Sequence, residues 1–263
     1  MNLNLKGKSV VVTGGTLGIG KAIAGAFLKE GCSVCVCSRN QKNIDSASRE
    51  FKNNGYSIFA KTADVTDYDS VCQFRDQVMV EYGKIDIWIN NVGNTYYKLL
   101  MDYEIDEWYK GIDVNLNSIF LSVKAVVPIM KAAGGGVIVN ASSYAAVIPR
   151  VGKACYAAAK SGLLSLNKSL AAELAPYNIR VVSYMPGPVL TPLTEKSFAL
   201  NGERMKSDMV LKRVGKPEEI AKFVVFMASD AASFMTGTHI EISGGKLCVQ
   251  NPMDAWKEAG KDS

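Results

Sequence analysis

Tyr156 and Lys160 stand four residues apart in Tyr156-Ala157-Ala158-Ala159-Lys160. On a helix, that spacing puts a phenol and an ammonium one turn apart on one face. An ordinary tyrosine keeps its proton up to a pKa of ~10, too high for easy exchange at neutral pH. A fixed cation favours the phenolate and predicts a lower value, which makes Tyr156 a candidate general acid/base. Alone the pair is a weak signal, because such pairs are frequent on solvated helix faces.

A second group of residues is suited to holding a phosphate. Thr13-Gly14-Gly15-Thr16-Leu17-Gly18-Ile19-Gly20 follows an apolar run and opens an amphipathic segment. Glycines permit a tight turn and close backbone approach to a pyrophosphate, and the helix beyond supplies free N–H groups and a positive dipole end. Gly14, Thr16, Leu17, Gly18, Ile19 and Gly20 are the predicted contacts. About twenty residues on, a fold that prefers NAD usually carries Asp or Glu against the ribose 2′-hydroxyl. Ser38 and Arg39 stand there instead. No carboxylate repels a 2′-phosphate, and a guanidinium can bind one bidentately. The sequence therefore predicts NADP(H) rather than NAD(H).

Other chemistries are poorly served. The chain has one histidine, His239, so paired histidine metal ligands are impossible within it. No Gly-x-Ser-x-Gly elbow accompanies His239, which argues against a serine hydrolase. No carboxylate cluster suggests a catalytic metal, and no metal is expected. The six cysteines, Cys32, Cys35, Cys37, Cys72, Cys155 and Cys248, lack the spacing of a zinc knuckle. They are expected to be free, buried thiols in a reducing compartment. The net charge of +5 comes without a dense Lys/Arg run, so no nucleic-acid partner is expected. No signal-peptide pattern opens the chain. No stretch approaches the ~18–20 apolar residues of a membrane span, so no membrane partner and a cytoplasmic location are expected.

The elements that must position these residues are visible as periodicity. Apolar runs at 9–13, 33–38, 57–62, 85–90, 136–141, 181–185 and 239–242 have strand length. Helical patterns fall between them at about 18–30, 43–54, 67–82, 107–130, 155–175 and 218–227. Continuous rather than alternating apolar strands are covered on both faces. Their alternation with helices predicts parallel βαβ units in an α/β, doubly wound parallel sheet with helices on both faces. No linker or repeat divides the 263 residues, so one domain is expected over 1–263. Residues 190–212 break the rhythm after Pro186-Gly187-Pro188 and read as a mobile apolar lid or as an ordinary surface hairpin. Residues 246–263 form a C-terminal extension with a short helix near 253–259.

Taken together, the motifs resemble the short-chain dehydrogenase/reductase family in its single-domain branch. The glycine turn is followed in family order by Asp64-Val65, Asn90-Asn91-Val92-Gly93, Asp113-Val114-Asn115-Leu116, Ser143, Tyr156 with Lys160, and Pro186-Gly187 with Thr191. The resemblance implies a Rossmann-type fold and reversible reduction of a carbonyl to a secondary alcohol, with hydride from the nicotinamide and a proton through Tyr156. It implies that Ser143, rather than Ser142, holds the substrate oxygen. Lys160 would bond the nicotinamide ribose, and Asn115 would help support a water leading to Lys160. Asp64 and Val65 would contact the adenine, Asn91 would line the adenosine side and Thr191 the carboxamide or phosphate, with Pro186, Gly187 and Val189 as further cofactor-binding positions. A homotetramer or homodimer packed through the two long helices is also implied. Two departures stand out: Val92 replaces the family's usual alanine, and Ser243 the usual aspartate before two glycines.

Some members of this fold bind dinucleotides as sensors or scaffolds without catalysis; the presence of both Tyr156 and Lys160 argues for an enzyme. Tyr96, Tyr97, Leu99, Leu100, Met101, Tyr144, Val147, Ile148 and Val151 are the candidate wall of a small-molecule substrate site, or else packing for the fold or a subunit contact. As a wall they suit a bulky apolar carbonyl compound. A 3-oxoacyl thioester on acyl carrier protein and a steroid or bile-acid ketone both fit. Lys98, Arg150 and Lys153 are the basic residues a carrier could meet.

Overall fold

A computed structural model describes residues 2–95, 97–246 and 248–261. Seven parallel strands form one sheet in the order β3-β2-β1-β4-β5-β6-β7. They are β1 (Ser9–Thr13), β2 (Ser33–Ser38), β3 (Phe59–Thr62), β4 (Ile87–Asn90), β5 (Gly136–Ala141), β6 (Ile179–Pro186) and β7 (His239–Ile242). The order reverses at β1, whose Val10–Val12 pair with both Val34–Val36 and Ile87–Ile89. Ligands of open α/β sheets bind at such a reversal, beyond the carboxyl ends of the strands.

Helices cover both faces. On one side α1 (Gly18–Lys29), α2 (Gln41–Asn53) and α8 (Pro217–Ala228) bury Ile23, Phe27, Phe51 and Val224 against Val10, Val12 and Val36. On the other, α3 (Tyr68–Tyr82), α5 (Ser118–Ala132) and α6 (Ala154–Leu174) bury Phe74, Val126 and Leu163 against Val11, Trp88 and Ile138. Burying one such side chain contributes about 1.5–3 kcal/mol. The central strands are dry on both faces, as continuous apolar runs require. The outer strands are not: β3 (Phe-Ala-Lys-Thr) and β7 (His-Ile-Glu-Ile) stay partly open. As edge strands each has one neighbour and less helix cover, which also explains why β3 starts at Phe59 rather than 57.

Three further expectations are corrected. The long helix expected at 107–130 is α4 (Ile105–Ile112) continuing into α5 through a π-helical turn at Asp113–Asn117. One extra residue in the turn leaves no trace in an apolar period. This helix is also long and apolar enough, by length and composition alone, to cross a membrane: its best window has mean hydropathy 1.4, with 39% buried in the fold. Asp113, Asn115, Asn117 and Lys124 interrupt its apolar run in the sequence, and one face of it is core of the sheet. Of the six thiols, four are buried, Cys72 is half-buried and Cys248 is exposed beyond the last strand; all are free.

The segment after β6 carries α7 (Glu195–Ser207). The extension forms α9 (Asp254–Glu258), and its Trp256 indole donates to the Val210 carbonyl at 2.9 Å. It therefore rests on the end of the segment 190–212.

Candidate active site

The first βα turn is shaped by glycine in two distinct ways. Gly14 and Gly18 have φ of +65° and +53°, which a side chain would strain. Gly20 lies inside α1, where a Cβ would stand 2.3 Å from the Gly14 carbonyl oxygen. The turn and its helix can touch only because Gly20 has no side chain. A cleft of about 600 Å³ opens above this turn, bordered by Gly14, Thr16, Leu17, Gly18, Ile19, Gly20, Ser38, Arg39, Asp64, Val65, Asn91 and Thr191. Bare backbone at a helix N-terminus inside an elongated cleft suits a dinucleotide. We expect Gly20→Ala to weaken NADPH binding at least tenfold and to destabilise the fold by about 1–3 kcal/mol through overpacking. Cofactor titration and thermal melting of the variant check this; an unchanged affinity would count against the cleft.

Arg39 stands at the far end of the cleft, 67% exposed and 3.7 Å from Asp64. Burial works to raise the Asp64 pKa, but hydrogen bonds from Thr66 and the charge of Arg39 outweigh it and hold the carboxyl below its ordinary value. Asn40 and Asn43 border the same end. Sequence reading missed both, since nothing in their spacing distinguishes them from helix-capping residues; Asn40 does cap α2. Asn91 is fixed from two sides: its amide donates to the Thr13 carbonyl at 3.2 Å and it accepts from the Tyr184 hydroxyl at 2.9 Å. Pro186, Gly187 and Val189 are not on the cleft's border. Val189 is buried, and Gly187 is required because a Cβ there would stand 2.6 Å from the Ser243 carbonyl oxygen.

Next to Gly93, on the cleft's border, α6 brings up the reacting groups, although no residue of α6 borders the cleft itself. Its buried stripe reads Cys155, Ala159, Lys160, Leu163, Asn167, Ala171 and Leu174, so a lysine occupies a core position. A polar chain fixes α6 to the sheet. Trp88 Nε1 donates to Asn90 Oδ1 at 2.9 Å, Asn90 Nδ2 to Asn140 Oδ1 at 2.8 Å, and Asn140 Nδ2 to Asn167 Oδ1 at 3.0 Å. Lys160 is 2% exposed, and its ammonium donates to the Ala141 carbonyl at 2.8 Å. No carboxylate pairs with it among the described residues. Burial pulls its pKa down to about 7.

Tyr156 is half-buried, and its ring centroid lies 5.8 Å from Lys160 Nζ. Burial raises the phenol's pKa, while a hydrogen bond with the Ser143 hydroxyl works to lower it. The expected lowering by Lys160 is corrected here: burial dominates the shifts of both groups. Ser142 and Ser143 separate cleanly, as the Ser142 hydroxyl turns to the Lys160 carbonyl at 3.4 Å and Ser143 faces Tyr156.

Asn115 sits in the π turn, a feature often found at functional sites. Its amide donates to the Asn94 carbonyl at 2.8 Å and the Gly111 carbonyl at 2.9 Å, and accepts from the Asn94 amide at 3.1 Å. It thereby clamps the loop after β4 beside Lys160. Gly93 makes room: a Cβ there would stand 3.1 Å from Asn115 Oδ1 and 3.6 Å from Lys160 Nζ. Val92, the first departure, reaches the glycine turn, with Cγ2 3.1 Å from where a Gly14 Cβ would be. Ser243, the second, accepts from the Lys246 amide at 2.9 Å and so keeps a local turn bond.

The proposed wall is open to solvent at Tyr97, Leu99, Leu100, Met101, Val147, Ile148 and Val151; Tyr96 lies outside the described residues. Lys98 pairs with Glu107, and Lys153 donates to Thr95 Oγ1 at 2.9 Å. His239 Nδ1 and Ser183 Oγ are 2.7 Å apart across β6 and β7, far from this chemistry in the sheet order.

A parallel sheet with a glycine-lined cleft at its reversal, and a Ser–Tyr–Lys set whose lysine lies against Gly93 on that cleft's border, defines a dinucleotide-dependent oxidoreductase. The comparisons narrow the class. Residues 14–246 match the adh_short_C2 family, described as enoyl-(acyl carrier protein) reductase. The chain is 38% identical over 243 residues to the 3-oxoacyl-[acyl-carrier-protein] reductase FabG of Thermotoga maritima, covering 92% of this chain and 99% of the relative. It is 36% identical to the dehydrogenase/reductase SDR family member 4 of Pongo abelii, covering 92% and 88%. The crystal structure of a short-chain type dehydrogenase/reductase from Mycobacterium marinum superposes with a TM-score of 0.90 at 33% identity, covering 94% of this chain and 98% of that one. The crystal structure of gox2181 gives 0.91 at 31%, with the same coverage. The chain belongs to the short-chain dehydrogenase/reductase family, and it is an oxidoreductase acting on CH–OH groups and their carbonyls. The family uses a nicotinamide cofactor.

Proposed function

We propose that this protein reduces the 3-oxo group of an acyl thioester with NADPH. The observation that carries the reading is the half-buried Tyr156 hydroxyl, facing Ser143 and flanked by the buried amine of Lys160, 5.8 Å from the tyrosine's ring centroid. NADPH, when bound, supplies the hydride. Ser143 holds the substrate oxygen beside Tyr156, and the Tyr156 hydroxyl gives that oxygen its proton. A phenol whose pKa is raised keeps its proton at neutral pH, the state a donor needs. Lys160 holds the ribose and returns a proton to Tyr156; with its pKa near 7 it exists in both forms at neutral pH. Asn115 is a positioning residue that sets the Gly93 loop against Lys160.

Arg39 would hold the 2′-phosphate, with Ser38, Asn40 and Asn43 around it. Pro186, Gly187, Val189 and Thr191 would frame the nicotinamide end from behind. The thioester is favoured over the steroid by relatives named for 3-oxoacyl carriers. One domain over 1–263, with 190–212 as its lid, accords with a single sheet to which the extension is bonded through Trp256. A homodimer or homotetramer is supported by apolar residues left outside on α4 and α5, Ile105, Tyr109 and Phe120. Free thiols accord with a cytoplasmic setting.

The test is turnover with acetoacetyl thioester against a keto-steroid, using NADPH and NADH, in wild type and Arg39→Ala. The thioester and NADPH are expected to be preferred. Arg39→Ala is expected to lose about 10–100-fold in NADPH affinity, as removal of a charged hydrogen-bond partner does. A preference for NADH, or for the steroid, overturns the corresponding half of the reading.

A further inference from the structure

A second pocket, of about 390 Å³, opens between the loop that follows Ser143 and the lid helix α7. Tyr144, Ile148 and Pro188 form its apolar floor, and Arg150, Arg204, Asp208 and Lys246 bring charge to it. Lys246 and Asp208 answer each other, with Nζ and Oδ2 2.5 Å apart. The two guanidiniums have no such partner: among the described residues neither Arg150 nor Arg204 makes a side-chain hydrogen bond or ion pair. Of the other five arginines, Arg49, exposed on α2 and outside this pocket, is also unpaired among the described residues, and the remaining four are engaged. Arg75 and Arg213 pair with carboxylates, Arg39 faces Asp64, and Arg180 donates to three backbone carbonyls.

Two unanswered guanidiniums from separate segments, facing one cavity with no free carboxylate, leave two positive charges aimed at the same space. Like charges held together without an anion repel, and an arriving carboxylate or phosphate removes that cost while forming forked hydrogen bonds. Tyr144 links the pocket to the chemistry, since it borders the pocket and is the residue after Ser143. We propose that Arg150 and Arg204 bind an anionic group carried by the substrate itself, a carboxylate or a phosphate remote from the carbonyl. The inference rests on the reading of this protein as a carbonyl reductase and adds the charge of its substrate. Because Arg204 lies on α7 and Arg150 on the body of the fold, the bound anion also ties α7 to the loop that carries Tyr144.

The experiment compares matched ketones with and without the charge. A 5-oxocarboxylate is set against its primary amide, and acetoacetyl-phosphopantetheine against the acetoacetyl thioester of N-acetylcysteamine. Wild type is expected to favour the anionic member of at least one pair tenfold or more in kcat/KM. The pair that shows it identifies the source of the charge. Arg204→Ala and Arg150→Ala are each expected to shrink that ratio at least fivefold, mainly through KM, while Arg204→Lys keeps part of it. Equal kcat/KM within both pairs overturns the proposal, as does a preference that survives both substitutions. If no ketone turns over, the carbonyl-reductase reading has failed separately. Calorimetric titration of phosphopantetheine and the 5-oxocarboxylate into the NADP+-loaded protein then decides. Millimolar or tighter binding that Arg204→Ala abolishes supports the pocket, and no binding to wild type overturns it.

Discussion

Tyr156→Phe is expected to lower kcat for ketone reduction by at least about 100-fold, and up to about 10,000-fold, the range a positioned general acid supplies. NADPH affinity is expected to stay within about twofold, because the cleft that suits the cofactor is bordered by the glycine turn, Arg39 and Asp64 rather than by the phenol. The substitution removes one oxygen and leaves the ring, so packing around α6 is preserved. The Ser143 hydroxyl loses its Tyr156 partner but still accepts from the Ala145 amide at 3.2 Å. Ser143→Ala in the same background should add little, since the two groups act on one substrate oxygen and their effects are not additive. The direction of the pKa shift adds a pH signature. Burial raises the Tyr156 pKa, so reduction, which needs the protonated phenol, should hold across neutral pH. Oxidation of the alcohol needs the phenolate and should climb as pH rises. Stopped-flow kinetics of both directions check this. A variant that keeps a tenth of wild-type kcat would show that Tyr156 is not the proton donor.

The fold was legible because the core is built from elements that repeat one local rule. Strands such as Val10-Val11-Val12 and Ile87-Trp88-Ile89 are apolar on both faces because both faces are covered, and short apolar runs separated by helical periods can pair only in parallel. What escaped the period was geometry that costs no residue type. The π turn at Asp113–Asn117 reads as ordinary helix, yet it is what lets Asn115 reach Asn94. The candidate site was legible where chemistry needs a rare side chain: Lys160 on an apolar stripe, glycines where Cβ atoms would collide, Arg39 where a carboxylate is usual. It was not legible where distant segments converge. Arg150 and Arg204 are fifty-four positions apart and meet only because α7 folds back beside the loop after Ser143. The mutual influence of Tyr156 and Lys160 was misjudged for the same reason. Their spacing is local, but the dielectric around them is set by the whole sheet-and-helix contact, which makes desolvation the larger effect.

That desolvation predicts an unusual variant. Lys160→Met is expected to be inactive and more stable than the wild type. The side chain is 2% exposed and has no carboxylate partner among the described residues; only the Ala141 carbonyl answers it. Replacing a buried charge by an apolar chain of similar length is often stabilising by about 1–4 kcal/mol, and the lost bond to Ala141 offsets about 1.5–3 kcal/mol of the gain at most. The pH dependence separates these contributions. The folded-state pKa is about 7, against ~10.4 for a lysine in the unfolded chain. Below pH 7 the amine is charged in both states, and its burial penalises folding in full. Between about 7 and 10 the unfolded chain holds a proton that the folded one has released, so wild-type stability rises with pH, by at most ~1.4 kcal/mol per unit. The methionine variant lacks this proton. Its advantage over wild type should therefore be greatest below neutrality and shrink towards pH 10, even though other groups titrate in both proteins alike. Denaturant unfolding of the pair at several pH values reads the difference directly. A variant less stable than wild type at every pH would mean that the ammonium is stabilised by its surroundings. If the prediction holds, Lys160 is kept at a cost in stability, which is what a residue retained for proton transfer rather than for the fold should show.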